Sequence, residues 1–165
     1  MKTLQITKKH LDANNYYVGK EDVTNFDGHI EIDESLGWVR FKRSIVVKGG
    51  LLAKAGTGIE AGDGIEAGEG IEAGWGIEAG WGIKAGEGIK AGWGIKCRII
   101  YANLRIFAGL CTRRTLTPEE KQIVCEEVLK GEIAYGDLIL TKPEKQTCAG
   151  KTVEIDGVKY KLELA

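Results

Sequence analysis

Only two histidines, His10 and His29, are available as side chains that exchange protons near neutral pH. Acyl transfer or hydrolysis would require such a base beside a cleft. His29 follows Asp27 and Gly28, a context typical of a turn or the start of a strand. The chain also contains no Walker motif and no H-E-x-x-H motif. We therefore predict that the protein is not an enzyme, has no catalytic residues and uses no cofactor.

Three of the four tryptophans, Trp75, Trp81 and Trp93, each stand between two glycines. Clustered, exposed tryptophans are typical of contact surfaces. We therefore predict that these three side chains bind a macromolecular partner. The alternative is internal packing, in which Trp75 stacks on Trp93 and residues 111–165 fold over the pair.

Carboxylates provide a second candidate surface. Six acids with no base among them are followed by a basic belt of Lys84, Lys90 and Lys96; the acids are Glu60, Asp63, Glu66, Glu69, Glu72 and Glu78. At the corners, Asp63, Glu69 and Glu87 could form rows, and a pair such as Glu69 and Glu87 one strand spacing apart could hold Ca²⁺. Solvated charges are the simpler interpretation, and we predict no metal. Such a belt could also compete for a nucleic-acid channel lined by Lys and Arg. The predicted binding residues are Trp75, Trp81, Trp93, Asp63, Glu66, Glu69, Glu72 and Glu87.

A six-residue repeat, Ile-(Glu/Lys)-Ala-Gly-x-Gly, carries these side chains. Its isoleucines are Ile59, Ile65, Ile71, Ile77, Ile83, Ile89 and Ile95. A unit this short holds one strand and one tight corner, which is the period of a β-solenoid. Strand alternation places isoleucine and alanine inside and Glu or Lys outside. The variable residue at each corner, from Thr57 to Trp93, is expected to face solvent.

The charges indicate how many units make one coil. With three units, or 18 residues, opposite charges stack on each other, and so do two tryptophans; the stacked pairs are Glu66 with Lys84, Glu72 with Lys90, Glu78 with Lys96 and Trp75 with Trp93. With two units most stacked pairs would be like-charged, whereas four units fit the charges equally well. Known architecture favours three units. The predicted fold is mainly β, a triangular parallel β-solenoid of about four coils with a cap at each end.

The segments on either side of the repeat have a different sequence pattern. Residues 1–38 are predicted to form an N-terminal cap, residues 39–111 the solenoid, and residues 112–165 a C-terminal α+β cap. In the last segment, Thr117-Pro118-Glu119-Glu120 is a helix-start signature with Thr117 as N-cap. That helix could end at Gly131, or a strand at 123–125 could interrupt it. Residues 152–162 predict a β-hairpin that turns at Asp156-Gly157.

Composition narrows the class of protein. The net charge is −1, so the chain has no bulk bias toward nucleic acid or membranes. It has no apolar run near 20 residues and no apolar signal core at its start. The four cysteines, Cys97, Cys111, Cys125 and Cys148, are widely spaced and are expected to be free thiols in a reducing compartment. Cys97 replaces the alanine of the repeat, which predicts an inward position.

The repeat resembles the left-handed β-helix of hexapeptide-repeat proteins, many of which are trimeric acyltransferases. In that family the small inward residue precedes the aliphatic one by two positions, whereas here Ala61 and Ala67 follow it, which leaves the handedness open. The unit Gly-Ile-x-Ala-Gly-x-Gly-Ile also resembles small bacteriophage and prophage proteins.

That second resemblance implies a cytoplasmic inhibitor in a bacterial host cell. Its partner would be a protein or a protein–nucleic-acid complex of the host, in the manner of an anti-CRISPR protein. The alternatives are an acyltransferase-like enzyme and a phage structural component that associates with itself.

Overall fold

The computed structural model describes residues 1–141, 152–155 and 158–161. Almost all regular structure in these residues is short β-strand. The strands are β1 (Lys2–Ile6), β2 (Gly28–Ile32), β3 (Gly37–Phe41), β4 (Ile45–Val47), β5 (Leu51–Ala53), β6 (Thr57–Ala61), β7 (Ile65–Ala67), β8 (Ile71–Ala73), β9 (Ile77–Ala79), β10 (Gly82–Ala85), β11 (Ile89–Ala91), β12 (Ile95–Lys96), β13 (Ile99–Phe107), β14 (Gln122–Cys125), β15 (Glu127–Tyr135), β16 (Asp137–Leu140), β17 (Thr152–Ile155) and β18 (Val158–Lys161).

Strands β1 to β16 form three parallel ladders that enclose one core. The first face contains β1, β2, β5, β8, β11 and the ends of β13 and β15; the second contains β3, β6, β9, β12, β14 and β16; the third contains β4, β7, β10 and the starts of β13 and β15. Ile59 pairs with Ile77 and Ile77 with Ile95, so one coil takes 18 residues. The predicted parallel solenoid with three units per coil is therefore confirmed.

The core follows the predicted alternation. Every isoleucine of the repeat is at most 1% exposed, and the alanines of the repeat are buried beside them. Cys97 is also buried, as predicted, and burial raises the pKa of its thiol to about 12. The Glu and Lys residues between Ile and Ala are half-buried or exposed. Burying aliphatic side chains along one axis is the main favourable term that holds the coils together.

One corner residue departs from the prediction. Thr57 was expected to face solvent, but its side chain is fully buried. Its hydroxyl donates a hydrogen bond to the Asp33 carbonyl oxygen at 2.7 Å and accepts one from the Leu36 N–H at 3.1 Å. Burying a hydroxyl that both donates and accepts a hydrogen bond costs little free energy. These two bonds connect Thr57 to the longer, 20-residue coil that precedes Ile59.

Parallel pairing continues past residues 39–111 at both ends, through β1 and β2 on one side and β14 to β16 on the other. The predicted helix after Thr117 is wrong, because the segment forms one 3₁₀ turn, Glu119–Lys121, and then β14. The alternative strand at 123–125 is confirmed. The predicted hairpin is confirmed by the antiparallel pairing of β17 with β18. Its turn residues and Cys148 lie outside the described residues.

In the described part of the chain, no helix has the length and apolar character needed to cross a membrane.

Candidate functional site

Two of the predicted binding residues, Trp75 and Trp93, lie at the first corner, between the first and second faces. Their rings stack with centroids 4.5 Å apart and an interplanar angle of 9°, as the 18-residue coil predicts. The Arg114 guanidinium lies 5.1 Å from the Trp93 ring, and the Glu120 carboxylate binds it with two hydrogen bonds. Arg114 is the largest cause that holds the pKa of Glu120 at about 2. Both indoles are half-buried, so this pair consolidates the fold.

Trp81 lies at the second corner, between the second and third faces, and is separate from the other two. Its side chain is 57% exposed. The Arg98 guanidinium lies 4.4 Å from its ring centroid and is held by the Glu126 carboxylate at 2.8 and 3.2 Å. The Trp81 backbone is fixed between the Asp63 carbonyl and the Arg98 N–H. The result is an exposed indole on a rigid support.

The predicted acidic residues lie on two successive coils and on all three faces. Glu60 lies on the second face, Glu66 on the third and Glu72 on the first. Asp63 lies at the second corner, while Glu69 and Glu87 lie one above the other at the third corner, between the third and first faces. A ring around the axis does not place these carboxylates on one surface.

The basic belt forms the next ring and faces the acidic one. Lys84 Nζ is 2.6 Å from Glu66 Oε1, and Lys90 Nζ is 3.8 Å from Glu72 Oε2. Lys96 is the register partner of Glu78. The hydrogen bond from Lys84 to Glu66 raises the pKa of the lysine. These contacts confirm the predicted charge register and reduce the net field of the acids.

Neither histidine has the geometry of a general base. His29 Nδ1 accepts a hydrogen bond from the Gly50 N–H at 3.0 Å, and His10 Nδ1 accepts one from the Thr7 N–H at 3.0 Å. In a neutral ring this places the remaining proton on Nε2, which leaves no free nitrogen to take a substrate proton. Glu69 Oε2 lies 3.6 Å from His29 Nδ1. Within residues 1–141, 152–155 and 158–161, no cluster of three or more His, Cys, Asp or Glu side chains could hold a metal ion.

A feature that sequence reasoning missed is a shallow groove along each face, floored by the glycine that precedes each isoleucine. On the second face the groove is filled: a methyl group added to Gly58 or Gly76 would lie 2.9 or 2.8 Å from the Trp38 ring. Trp38 occupies the register position of Gly58 in the previous coil. A tryptophan in place of the glycine of the repeat was the feature of the sequence that could have indicated a covered floor on this face.

The grooves on the other two faces differ in chemistry. The first-face groove, about 1360 Å³, is lined by apolar side chains such as Leu52 and Phe107 and by charged ones that include His29, Glu69, Glu87, Lys90 and Arg105. The third-face groove, about 370 Å³, is bordered by Trp81 and lined mainly by apolar groups. Its apolar and aromatic lining residues are Val46, Ile65, Trp81, Ile83, Ile99, Tyr101 and Leu129.

Comparison with protein families, with curated proteins and with solved structures found no match.

Proposed function

We propose that this chain is a non-enzymatic protein-binding module that contacts its partner through Trp81 and the third-face groove. The observation that carries the proposal is the 57% exposure of an indole that is fixed by Arg98 and Glu126. Tryptophan, tyrosine and arginine are the residues most enriched at the energetic centres of protein interfaces. Trp81, Tyr101 and Arg98 lie together at this edge of the solenoid.

The rigidity of the Trp81 side chain also favours binding of a partner. Association costs about 0.5–1.5 kcal/mol for each flexible side chain that becomes ordered at an interface. Arg98 over the Trp81 ring and its ion pair with Glu126 reduce this cost before the partner arrives. By contrast, Trp75 and Trp93 are already stacked on each other and offer less surface.

The test compares partner binding by three chains. Wild type, Trp81→Ala and Leu104→Ala are immobilised and exposed to the same bacterial lysate. Leu104, 60% exposed beside Glu87 at the third corner, is the matched control. A captured protein is then purified and its Kd is measured with each chain. We expect Trp81→Ala to weaken binding at least about tenfold, or about 1.4 kcal/mol, and Leu104→Ala to have little effect.

Two results would contradict the proposal. One is a partner that binds wild type and Trp81→Ala with the same Kd. The other is a lysate from which wild type and Trp81→Ala recover the same proteins. Light scattering on the purified chains identifies the case in which the partner is a second copy of the protein.

The finer proposal is that the partner is a nucleic-acid-handling or defence complex of a bacterial host, inhibited by a phage-encoded protein. Its support is the solvent-accessible carboxylates at the second and third corners, Asp63, Glu69 and Glu87. Salt separates this contribution from that of Trp81, because charge–charge attraction between exposed groups is screened within about 8 Å at physiological ionic strength. Binding through the carboxylates weakens steeply as salt is raised, whereas binding through Trp81 changes little.

A further inference from the structure

The three faces share one backbone plan. On each, the glycine before the aliphatic residue lies between the corner residue and the Glu or Lys in the middle of the strand. In each case the aliphatic residue of one coil donates a backbone hydrogen bond to the glycine of the next coil, as from Ile59 N–H to Gly76 O on the second face and from Ile45 N–H to Gly64 O on the third. A groove on one face is therefore a structural equivalent of a groove on another.

The second face shows what such a floor accepts. The Trp38 indole lies across Gly58 and Gly76, so close that a methyl group on either glycine would displace it. The corner residue Trp75 lies 3.8 Å from the position of a methyl group on Gly37, the residue before Trp38. One flat aromatic ring thus lies against a glycine floor, with a corner tryptophan nearby.

On the third face the equivalent floor carries no ring. A methyl group on Gly64 would meet only the Gly82 carbonyl oxygen at 3.3 Å and Ser44 Oγ at 4.0 Å. A methyl group on Gly82 would meet Ile99, with its carbonyl oxygen at 3.1 Å and Cβ at 3.7 Å. The corner residue is again a tryptophan, Trp81.

The walls of this empty groove fit the same kind of occupant. Trp81 forms one side, the Glu66–Lys84 ion pair forms the other, and Ile99, Tyr101 and Leu129 continue the apolar surface. Leu129 is 58% exposed. The volume of about 370 Å³ lies at the small end of the range for ligand sites, which suits one aromatic side chain.

We propose that the third-face groove binds an aromatic side chain of a partner polypeptide, laid across Gly64 and Gly82 beside Trp81 as Trp38 is laid across Gly58 and Gly76. This inference rests on the proposed function and names the chemistry of the partner. The first-face groove does not compete for such a group, because the Glu69 and Glu87 carboxylates lie near its floor glycines, Gly50 and Gly70.

The test is an NMR titration of the ¹⁵N-labelled chain with N-acetyl-Gly-Trp-Gly-amide. Analogues with leucine or alanine in place of tryptophan are titrated in parallel. We expect saturable shifts of the Trp81 indole N–H and of the Gly64 and Gly82 amides, and no such shifts at Gly58 and Gly76. Trp81→Ala is expected to weaken the tryptophan peptide about fivefold or more.

A gain of binding provides the complementary variant. Trp38→Ala uncovers the second-face floor, so the Gly58 and Gly76 amides are expected to respond to the same peptide. Where this variant does not fold, the wild-type titration decides alone.

The proposal is overturned if the tryptophan peptide gives no saturable shift at Gly64 and Gly82, or if the leucine analogue binds equally well. A partner that requires Trp81 while the peptide fails to bind leaves the proposed function standing and removes this inference. The reverse result, in which the peptide binds and no partner depends on Trp81, removes the proposed function instead.

Discussion

On the second face of the solenoid Trp38 covers Gly58 and Gly76, and on the third face Gly64 and Gly82 are bare beside Trp81. The two faces have the same repeat, the same alternation and the same coil length. They differ because the coil that precedes the regular repeat contributes an indole to one face, while Ser44 stands at the equivalent edge of the other. The repeat thus determines the backbone architecture, whereas residues that depart from it, such as Trp38 and Ser44, determine the surface chemistry of each face.

The first and second corners also share one arrangement of side chains and differ in what surrounds it. At both the first and second corners an arginine lies over a tryptophan and is held by a glutamate: Arg114 with Glu120 over Trp93, and Arg98 with Glu126 over Trp81. At the first corner a second ring, Trp75, completes the stack. At the second corner no ring fills the column, because Asp63 occupies the position one coil below. The same device therefore produces packing at one corner and an exposed aromatic surface at the other.

Removing a tryptophan from each face is expected to give the largest contrast. Trp38→Ala should lower the free energy of unfolding by about 2–3 kcal/mol, because it strips a packed ring from the glycine floor. Trp81→Ala should change it by less than about 0.5 kcal/mol, as is usual for exposed positions. Urea denaturation followed by far-ultraviolet circular dichroism measures both. Equal losses would mean that the two rings are equally important for packing.

Substituting alanine for a floor glycine tests the same difference between the second and third faces. Gly58→Ala brings Cβ within 2.9 Å of the Trp38 ring and should cost about 1–2 kcal/mol. Gly64→Ala, its counterpart on the third face, should cost less than Gly58→Ala, because its methyl group would meet the Gly82 carbonyl oxygen at 3.3 Å and no aromatic ring. The double variant Trp38→Ala/Gly58→Ala sharpens the test, because most of the cost of the methyl group should disappear once the ring is gone, leaving its contact with the Gly76 carbonyl oxygen at 3.1 Å. An undiminished cost would point to the backbone rather than the indole.

Trp75→Ala probes the stacked corner and is expected to cost at least about 1 kcal/mol, because an aromatic pair contributes this much beyond simple burial. Thermal unfolding of this variant is compared with that of Trp81→Ala, which removes an unstacked indole. We also expect the near-ultraviolet circular dichroism of Trp93 to weaken, because the coupling between the two rings is lost. An unchanged spectrum would contradict the stack.

Much of this architecture could be predicted because a strict six-residue repeat allows few arrangements. The inward isoleucines, the 18-residue coil, the Glu66–Lys84 pair and the Trp75–Trp93 stack all follow from period and charge. The same coil length already separates Trp81 from Trp75, since six residues along the chain move a side chain one corner around the axis. The prediction that the three tryptophans cluster and bind a partner together overlooked this separation.

The remaining features depend on contacts that local patterns do not report. The segment after Thr117 forms β14 rather than a helix, because Ile123 and Cys125 fill the core positions above Ile95 and Cys97. Thr57 turned inward because its hydroxyl found two backbone partners in the coil before it. Trp38 stands where the repeat has glycine, but the repeat pattern does not indicate that its ring extends over the floor of the coils that follow. In each case tertiary packing outweighed local preference.

The smallest expected effect concerns acid stability at the first corner, where the pKa of Glu120 is about 2 against an ordinary value of 4.5. The unfolded chain takes up this proton first on acidification. The Arg114–Glu120 pair therefore stabilises the fold fully above about pH 4.5 and loses that contribution as the pH falls toward 2. Glu120→Gln should make the loss of stability between these pH values shallower, and Arg114→Gln should do the same, because it removes the group that lowers the pKa. Urea midpoints measured at several pH values decide the matter: curves parallel to wild type for both variants would show that the pair over Trp93 contributes nothing to the acid response.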